Sequence, residues 1–175
     1  MSILTERVEH TNDHIIKTWG QNYEDYFFSE ANAYSRLVMT EITPECVINM
    51  AKRQLTVKKF GVNMQASSFL NETQRRVVGK NLYDRVVLMY EHGVSNRDLH
   101  TKNILIDPST LEVKIIDFEL AGFDLSWSYD LYGPKDGTGI PLEHSKRNIA
   151  ISWDSTSVGV SVKDWTGMSV SDFVV

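Results

Sequence analysis

The chain has 175 residues, 42% hydrophobic and 23% charged, which suits one globular unit with a real core, and it contains no internal repeat or low-complexity tract. Its net charge of -5 and pI near 5.5 argue against electrostatic nucleic-acid binding, and no polybasic cluster favours an anionic membrane. A single cysteine, Cys46, excludes an internal disulfide framework, and with no membrane-length apolar run or signal pattern a cytoplasmic or nuclear location is expected.

Residues 1–14 are polar and mixed, with a predicted turn at Thr11-Asn12-Asp13. Residues 14–19 read as a strand that carries Lys17 among apolar neighbours; such a lysine also suits an edge strand facing water. Across residues 23–39, Tyr26, Phe27, Glu30, Tyr34, Leu37 and Val38 recur at three- and four-residue steps, which predicts an amphipathic helix. Glu30 lies inside that stripe, and burying an unpaired carboxylate is costly. Lys17 is the first candidate partner; Glu24 is a rival for the role, and an exposed Glu30 is the alternative.

Two short strands follow at residues 46–50 and 55–60, the second ending at Gly61. Asn71 with Gln74 three residues on forms a capping-box start. Val78, Leu82, Val86 and Met89 continue that helix as a stripe, and Gly93 stops it. Arg75, Arg76, Lys80 and Arg85 read as its solvated face. Cys46, beside Val47 and Ile48, reads as a small buried residue.

Residues 93–123 carry the densest pattern. Asp98-Leu99-His100-Thr101-Lys102-Asn103 precedes the apolar run Ile104-Leu105-Ile106. A turn at Asp107-Pro108-Ser109-Thr110 leads to Val113-Lys114-Ile115-Ile116 and then Asp117-Phe118-Glu119. Two β-branched strands around such a turn predict a hairpin. Asp98 and Asn103 come before its first strand and Asp117 after its second, so all three reach one end. Two carboxylates and an amide there suit a magnesium–phosphate site, because hard oxygen ligands hold a small hard cation.

The ordered combination of Asp98-Leu99-His100, Asn103 and Ile116-Asp117-Phe118 resembles the catalytic and metal-binding loops of the protein-kinase-like superfamily. Asp-Leu-His, Asp-Phe-Glu, Ala121-Gly122 and Tyr129-Asp130-Leu131 are similar to the aminoglycoside and choline phosphotransferase branch, whereas Arg97 matches the protein kinases. Asn96 and Glu119 stand where protein kinases usually have His and Gly.

The resemblance implies an α+β, two-lobed kinase-like fold with a reduced N-terminal β-lobe and a shortened C-terminal lobe. Residues 1–60 would form the small lobe, 65–132 the catalytic core of the large lobe, and 133–175 a divergent tail. ATP and magnesium are the implied cofactor and metal, and a protein or small-molecule hydroxyl is the acceptor. Asp98 would take the acceptor proton. Asn103 and Asp117 would hold magnesium, and Lys17, fixed by Glu30, the phosphates. Residues 60–64 would be the hinge beside adenine, with Met64 equally suited to the core. Arg97 would order its loop, His100 would pack, and Asp130 would brace the catalytic loop.

Three departures qualify this. At most sixteen residues precede Lys17 and none is glycine, so no glycine-rich loop covers the phosphates and weak nucleotide binding is expected. The chain is short for a complete kinase domain, which leaves a minimal version, a degenerate copy or a fragment. Asp117 to Asp130 leaves too little for a regulatory activation segment. Beyond Phe123, Trp127, Tyr129, Leu131 and Tyr132 suggest a short helix or packed loop, and Val158-Gly159-Val160-Ser161-Val162 alternates like a strand. An inactive pseudokinase used as a binding module is the main alternative to an enzyme, followed by an incomplete fragment.

Overall fold

The computed structural model describes residues 7–123 and 160–173. They form an α+β arrangement in which every sheet is antiparallel. The first sheet has the order β1-β2-β4-β3, from Arg7–His10 (β1), His14–Thr18 (β2), Cys46–Asn49 (β3) and Gln54–Lys58 (β4). The predicted turn is present: the Thr11 backbone N–H donates to the His14 carbonyl and the His14 N–H to the Thr11 hydroxyl. The residues before it, polar and mixed in sequence, pair with β2, Val8 standing opposite Lys17.

Helix α1 (Glu24–Leu37) lies on this sheet. Its inward face buries Phe27, Ala31, Tyr34 and Leu37 with Trp19 and Leu55 in one apolar cluster. Each such large side chain stabilises the fold by about 1.5–3 kcal/mol. Val38, assigned to the stripe by its spacing, lies past the helix end and is exposed.

The chain then crosses to a second sheet, β5-β7-β8, from Val62–Asn63 (β5), Ile104–Ile106 (β7) and Val113–Ile115 (β8). The expected hairpin is β7–β8, with Ile104 opposite Ile115. The expected hinge over 60–64 is shorter than its sequence suggested. Val62 and Asn63 pair with Ile106 and Leu105, and Met64 is fully buried, so Lys59, Phe60 and Gly61 make the crossing between β4 and β5.

Gly61 has φ +41, and a Cβ there would stand 2.0 Å from the Ile106 carbonyl oxygen. Backbone cannot yield as a flexible side chain does. Gly61→Ala is therefore expected to cost about 3 kcal/mol, from overpacking plus left-handed strain, in urea unfolding. A loss below about 1 kcal/mol would contradict this close approach.

Helix α2 (Glu72–Glu91) starts at the predicted capping box, with Asn71 and Gln74 exchanging side-chain and backbone bonds. Gly93, at φ +68, turns the chain out of it. Val78, Leu82, Val86 and Met89 are buried, and α2 packs on β8 and on β6 (Val94–Ser95), which pairs with β9 (Gly122–Phe123). Its basic residues divide. Arg76 and Lys80 are solvated and paired along the helix with Glu72 and Asp84, whereas Arg75 donates to the Leu70 and Ser68 carbonyls and Arg85 to the Thr40 carbonyl.

The far end of the chain overturns one expectation. Ser161 and Val162 belong to no strand: Ser161 caps a short helix, α3 (Val162–Thr166), by accepting the Asp164 N–H. This helix lies on α2, where the Arg75 guanidinium sits 5.3 Å from the Trp165 ring centre and Tyr83 stacks on Phe173. A Cβ on Gly79 would meet Thr166 and Phe173 at 3.2 and 3.3 Å, so the small residue within α2 admits this segment. The Thr101 hydroxyl donates to the Val160 carbonyl at 3.1 Å, tying the same segment to the loop before β7. The expectations placed on Trp127, Tyr129, Asp130, Leu131 and Tyr132 lie outside the described residues.

Candidate functional site

Lys17 projects from β2 towards α1, and its ammonium meets both oxygens of Glu30 at 3.0 Å. Glu30 is fully buried on α1, as its place in the apolar stripe predicted. The rival Glu24 instead faces Arg53, at 3.1 Å. Lys17 also reaches Asp117 Oδ1 at 2.9 Å and stands 3.8 Å from Glu119. One ammonium therefore gathers three carboxylates. Burial works against its charge, but Glu30, Asp117 and Glu119 outweigh it and hold Lys17 above the ordinary lysine range. Burial pushes the Glu30 carboxyl up, to about 7, against the pull of Lys17.

The backbone that presents these groups is strained at two points. Arg97 and Asp117, neither a glycine, both adopt φ +65. Such conformations cost roughly 1–3 kcal/mol and persist only where the surroundings impose them. The Asn96 carboxamide donates to the Ile116 and Asp117 carbonyls while its oxygen accepts the Asp98 N–H, so one buried side chain sets both loops. From the other side, the Ser29 hydroxyl on α1 lies 3.2 and 3.0 Å from the Phe118 and Ala121 carbonyls. Phe118 packs edge-on against Tyr34, with ring centres 5.7 Å apart. Arg97 reaches the Leu120 carbonyl at 3.5 Å.

Asp98 and Asn103 are coupled directly. The Asn103 amide nitrogen donates to the Asp98 carbonyl at 3.0 Å and to Oδ2 at 3.3 Å. The Ile116 N–H donates to the Asn103 carbonyl, holding the two loops side by side. The structure thus brings Lys17, Glu30 and Asp117 into contact and sets Asp98 and Asn103 on the adjoining loop.

Glu119 was missed as a site residue, having been weighed only as a glycine replacement. Its carboxylate is buried, and ligand oxygens of Glu30, Asp117 and Glu119 lie within 4.8 Å of one another. The Lys17 ammonium stands 3.0, 2.9 and 3.8 Å from the three carboxylates, and an oxygen-only donor set is the kind that small divalent cations take. The only sequence signal was a third acid two residues after Asp117.

A cavity of about 240 Å³ opens beside the cluster. Ile15 and Val57 line it from the first sheet, Leu105 and Ile116 from the hairpin side, and the Lys58–Gly61 crossing closes one end. Lys17 and Asp117 also line it, beside these apolar walls. A wider groove of about 1090 Å³ runs along β3 and the end of α1, but its lysines are already paired, Lys58 with Glu45 and Lys114 with Glu112. Cys46, half-buried there, has its thiol pushed up to about 12 by burial and Glu30, so it offers no thiolate.

No family model matches the chain. The probable serine/threonine-protein kinase fhkA of Dictyostelium discoideum is 32% identical over 80 residues. That stretch covers 44% of this chain and 13% of the length of that relative, so the likeness to a kinase is partial. Among the described residues no helix is long and apolar enough to cross a membrane.

Proposed function

We propose that this chain is a magnesium-dependent phosphotransferase that moves the γ-phosphoryl group of ATP to an acceptor hydroxyl, on a reduced two-lobed kinase-like frame. Supporting this above all is the Lys17 ammonium held jointly by Glu30 and Asp117 at the mouth of an apolar cavity. Phosphoryl transfer needs positioning and charge stabilisation more than covalent help from the protein. Lys17 would hold phosphate oxygens, and Asp117 and Asn103, with Glu119 beside them, would hold magnesium. Asp98 would accept the hydroxyl proton as the acceptor oxygen bonds to phosphorus and the bridging oxygen leaves with ADP. Bound magnesium supplies neutralisation of the phosphate charge. The acceptor is a hydroxyl of a protein or a small molecule.

A binding module without turnover is the second reading, and one observation favours it. The Thr11-Asn12-Asp13 turn does not lie over Lys17; it is tied to the crossing, where the Lys59 N–H donates to the Asp13 carbonyl. With no backbone among the described residues closing over the phosphates, affinity rests on Lys17, Glu30 and the metal. A dissociation constant in the high micromolar range, about -5 to -6 kcal/mol, is expected.

Thermal unfolding with Mg-ATP, and with magnesium alone, tests the site. At one hundred times the dissociation constant Mg-ATP should add about 2.7 kcal/mol, and Asp117→Ala should remove the magnesium dependence. A folded protein whose midpoint ignores millimolar Mg-ATP would refute both readings. Phosphate transfer to a mixed panel of protein and small-molecule hydroxyls then separates enzyme from binding module.

A further inference from the structure

His100 has been left as a packing residue, yet its ring atoms are committed in a way that packing does not require. Its side chain is only 12% exposed, and Nδ1 accepts the Lys102 backbone N–H at 3.2 Å. A ring nitrogen that accepts carries no proton, so the proton of the neutral ring sits on Nε2. Nε2 faces Asp98 Oδ2 at 3.5 Å. That distance lies at the outer edge of hydrogen bonding, as catalytic contacts often do before substrate closes a site. Asn103 donates to the same oxygen at 3.3 Å. Asn103 thus bonds Oδ2 and the His100 ring faces the same oxygen without yet forming a hydrogen bond, while Oδ1 accepts no hydrogen bond among the described residues and the Asp98 side chain remains 41% exposed.

We infer that His100 is a positioning residue for Asp98, clamping Oδ2 together with Asn103 so that Oδ1 is the atom presented to the acceptor hydroxyl. This rests on the phosphotransferase reading. A carboxylate otherwise rotates about its last bond and offers either oxygen, each in several directions. Donors on one oxygen remove that freedom before substrate arrives, and proton acceptance depends on such alignment. The backbone adds to it, because the His100 carbonyl accepts the Asn103 N–H at 2.9 Å and so sets both donors within one turn. His100 itself takes no proton in this scheme; the hydroxyl proton goes to Asp98 Oδ1.

Two measurements test the assignment, the second independent of turnover. His100→Phe keeps a ring without the donor and should lower kcat on the order of tenfold to hundredfold, the usual cost of losing an orienting partner, with the ATP KM unchanged. His100→Gln places an N–H at a similar reach and should restore most of the rate. Equal losses in both variants, or a rise in ATP KM with kcat intact, would overturn the role. Imidazole nitrogen NMR of the unmodified chain should show the proton on Nε2, with a resonance that moves in Asp98→Asn. A proton on Nδ1, or indifference to Asp98→Asn, overturns the contact. If the parent transfers no phosphoryl group the phosphotransferase reading falls, and the spectrum still decides whether His100 holds Asp98.

Discussion

Lys17→Met is expected to destabilise the protein by about 3–5 kcal/mol at pH 8, the usual cost of removing one partner of a buried ion pair. The ammonium meets three carboxylates, one of them fully buried, and methionine fills its space without its charge. The loss should shrink towards pH 6. Glu30 titrates near 7 in the fold against an ordinary value of 4.5, so its proton is held more tightly folded than unfolded. That contribution to stability is complete below 4.5 and disappears as the pH rises through 7. Without Lys17 its carboxyl is pushed further up, and protonation relieves the uncompensated charge across a wider range. Urea unfolding at both pH values checks the sign. Adding Glu30→Gln to Lys17→Met should recover much of the loss, because the two residues act as one unit. A loss that is the same at pH 6 and pH 8, and additive with Glu30→Gln, would dissolve the coupling.

Asp98→Asn is expected to lower kcat by roughly 10²–10⁴-fold, the range of general-base assistance, while leaving nucleotide affinity nearly unchanged. The replacement is isosteric, and its amide oxygen can still accept from Asn103, so the loop should keep its shape. What it loses is a place for the acceptor proton. Single-turnover transfer rates beside nucleotide titrations separate the two effects. Parallel loss of binding and rate would make Asp98 structural and remove it from the chemistry.

How far these groups were legible varied with the kind of signal. Glu30 was legible because a charge inside an apolar stripe at helical spacing demands a cation, and Lys17 was the one set among apolar neighbours. The β7–β8 hairpin followed from two β-branched runs around Asp107 and Pro108. The Arg7–His10 strand left no such mark. It lies at a sheet edge with its side chains exposed or half-buried, and pairing with β2 rather than its own pattern makes it a strand. Glu119 sits in a loop, where neither periodicity applies, and its burial comes from contacts about ninety residues distant, of the kind Ser29 makes with Ala121. The segment ending in Val162 was misread because alternating valines outweighed Ser161 and Asp164, a helix-capping pair at the right spacing.

The anchorage of Thr101, between Asp98 and Asn103, on Val160 has a consequence for biosynthesis. The two residues are 59 positions apart, so the partner leaves the ribosome well after Thr101 does. Until it does, Gly79 and Tyr83 on α2 lack the Thr166 and Phe173 contacts that cover them, and Thr101, buried in the finished fold, lacks its acceptor. A nascent chain halted before residue 160 therefore carries an uncovered apolar stripe beside an unfinished loop, the kind of surface that chaperones engage. Ribosome-stalled chains of increasing length should become protease-resistant around α2 only after Phe173 has cleared the exit tunnel.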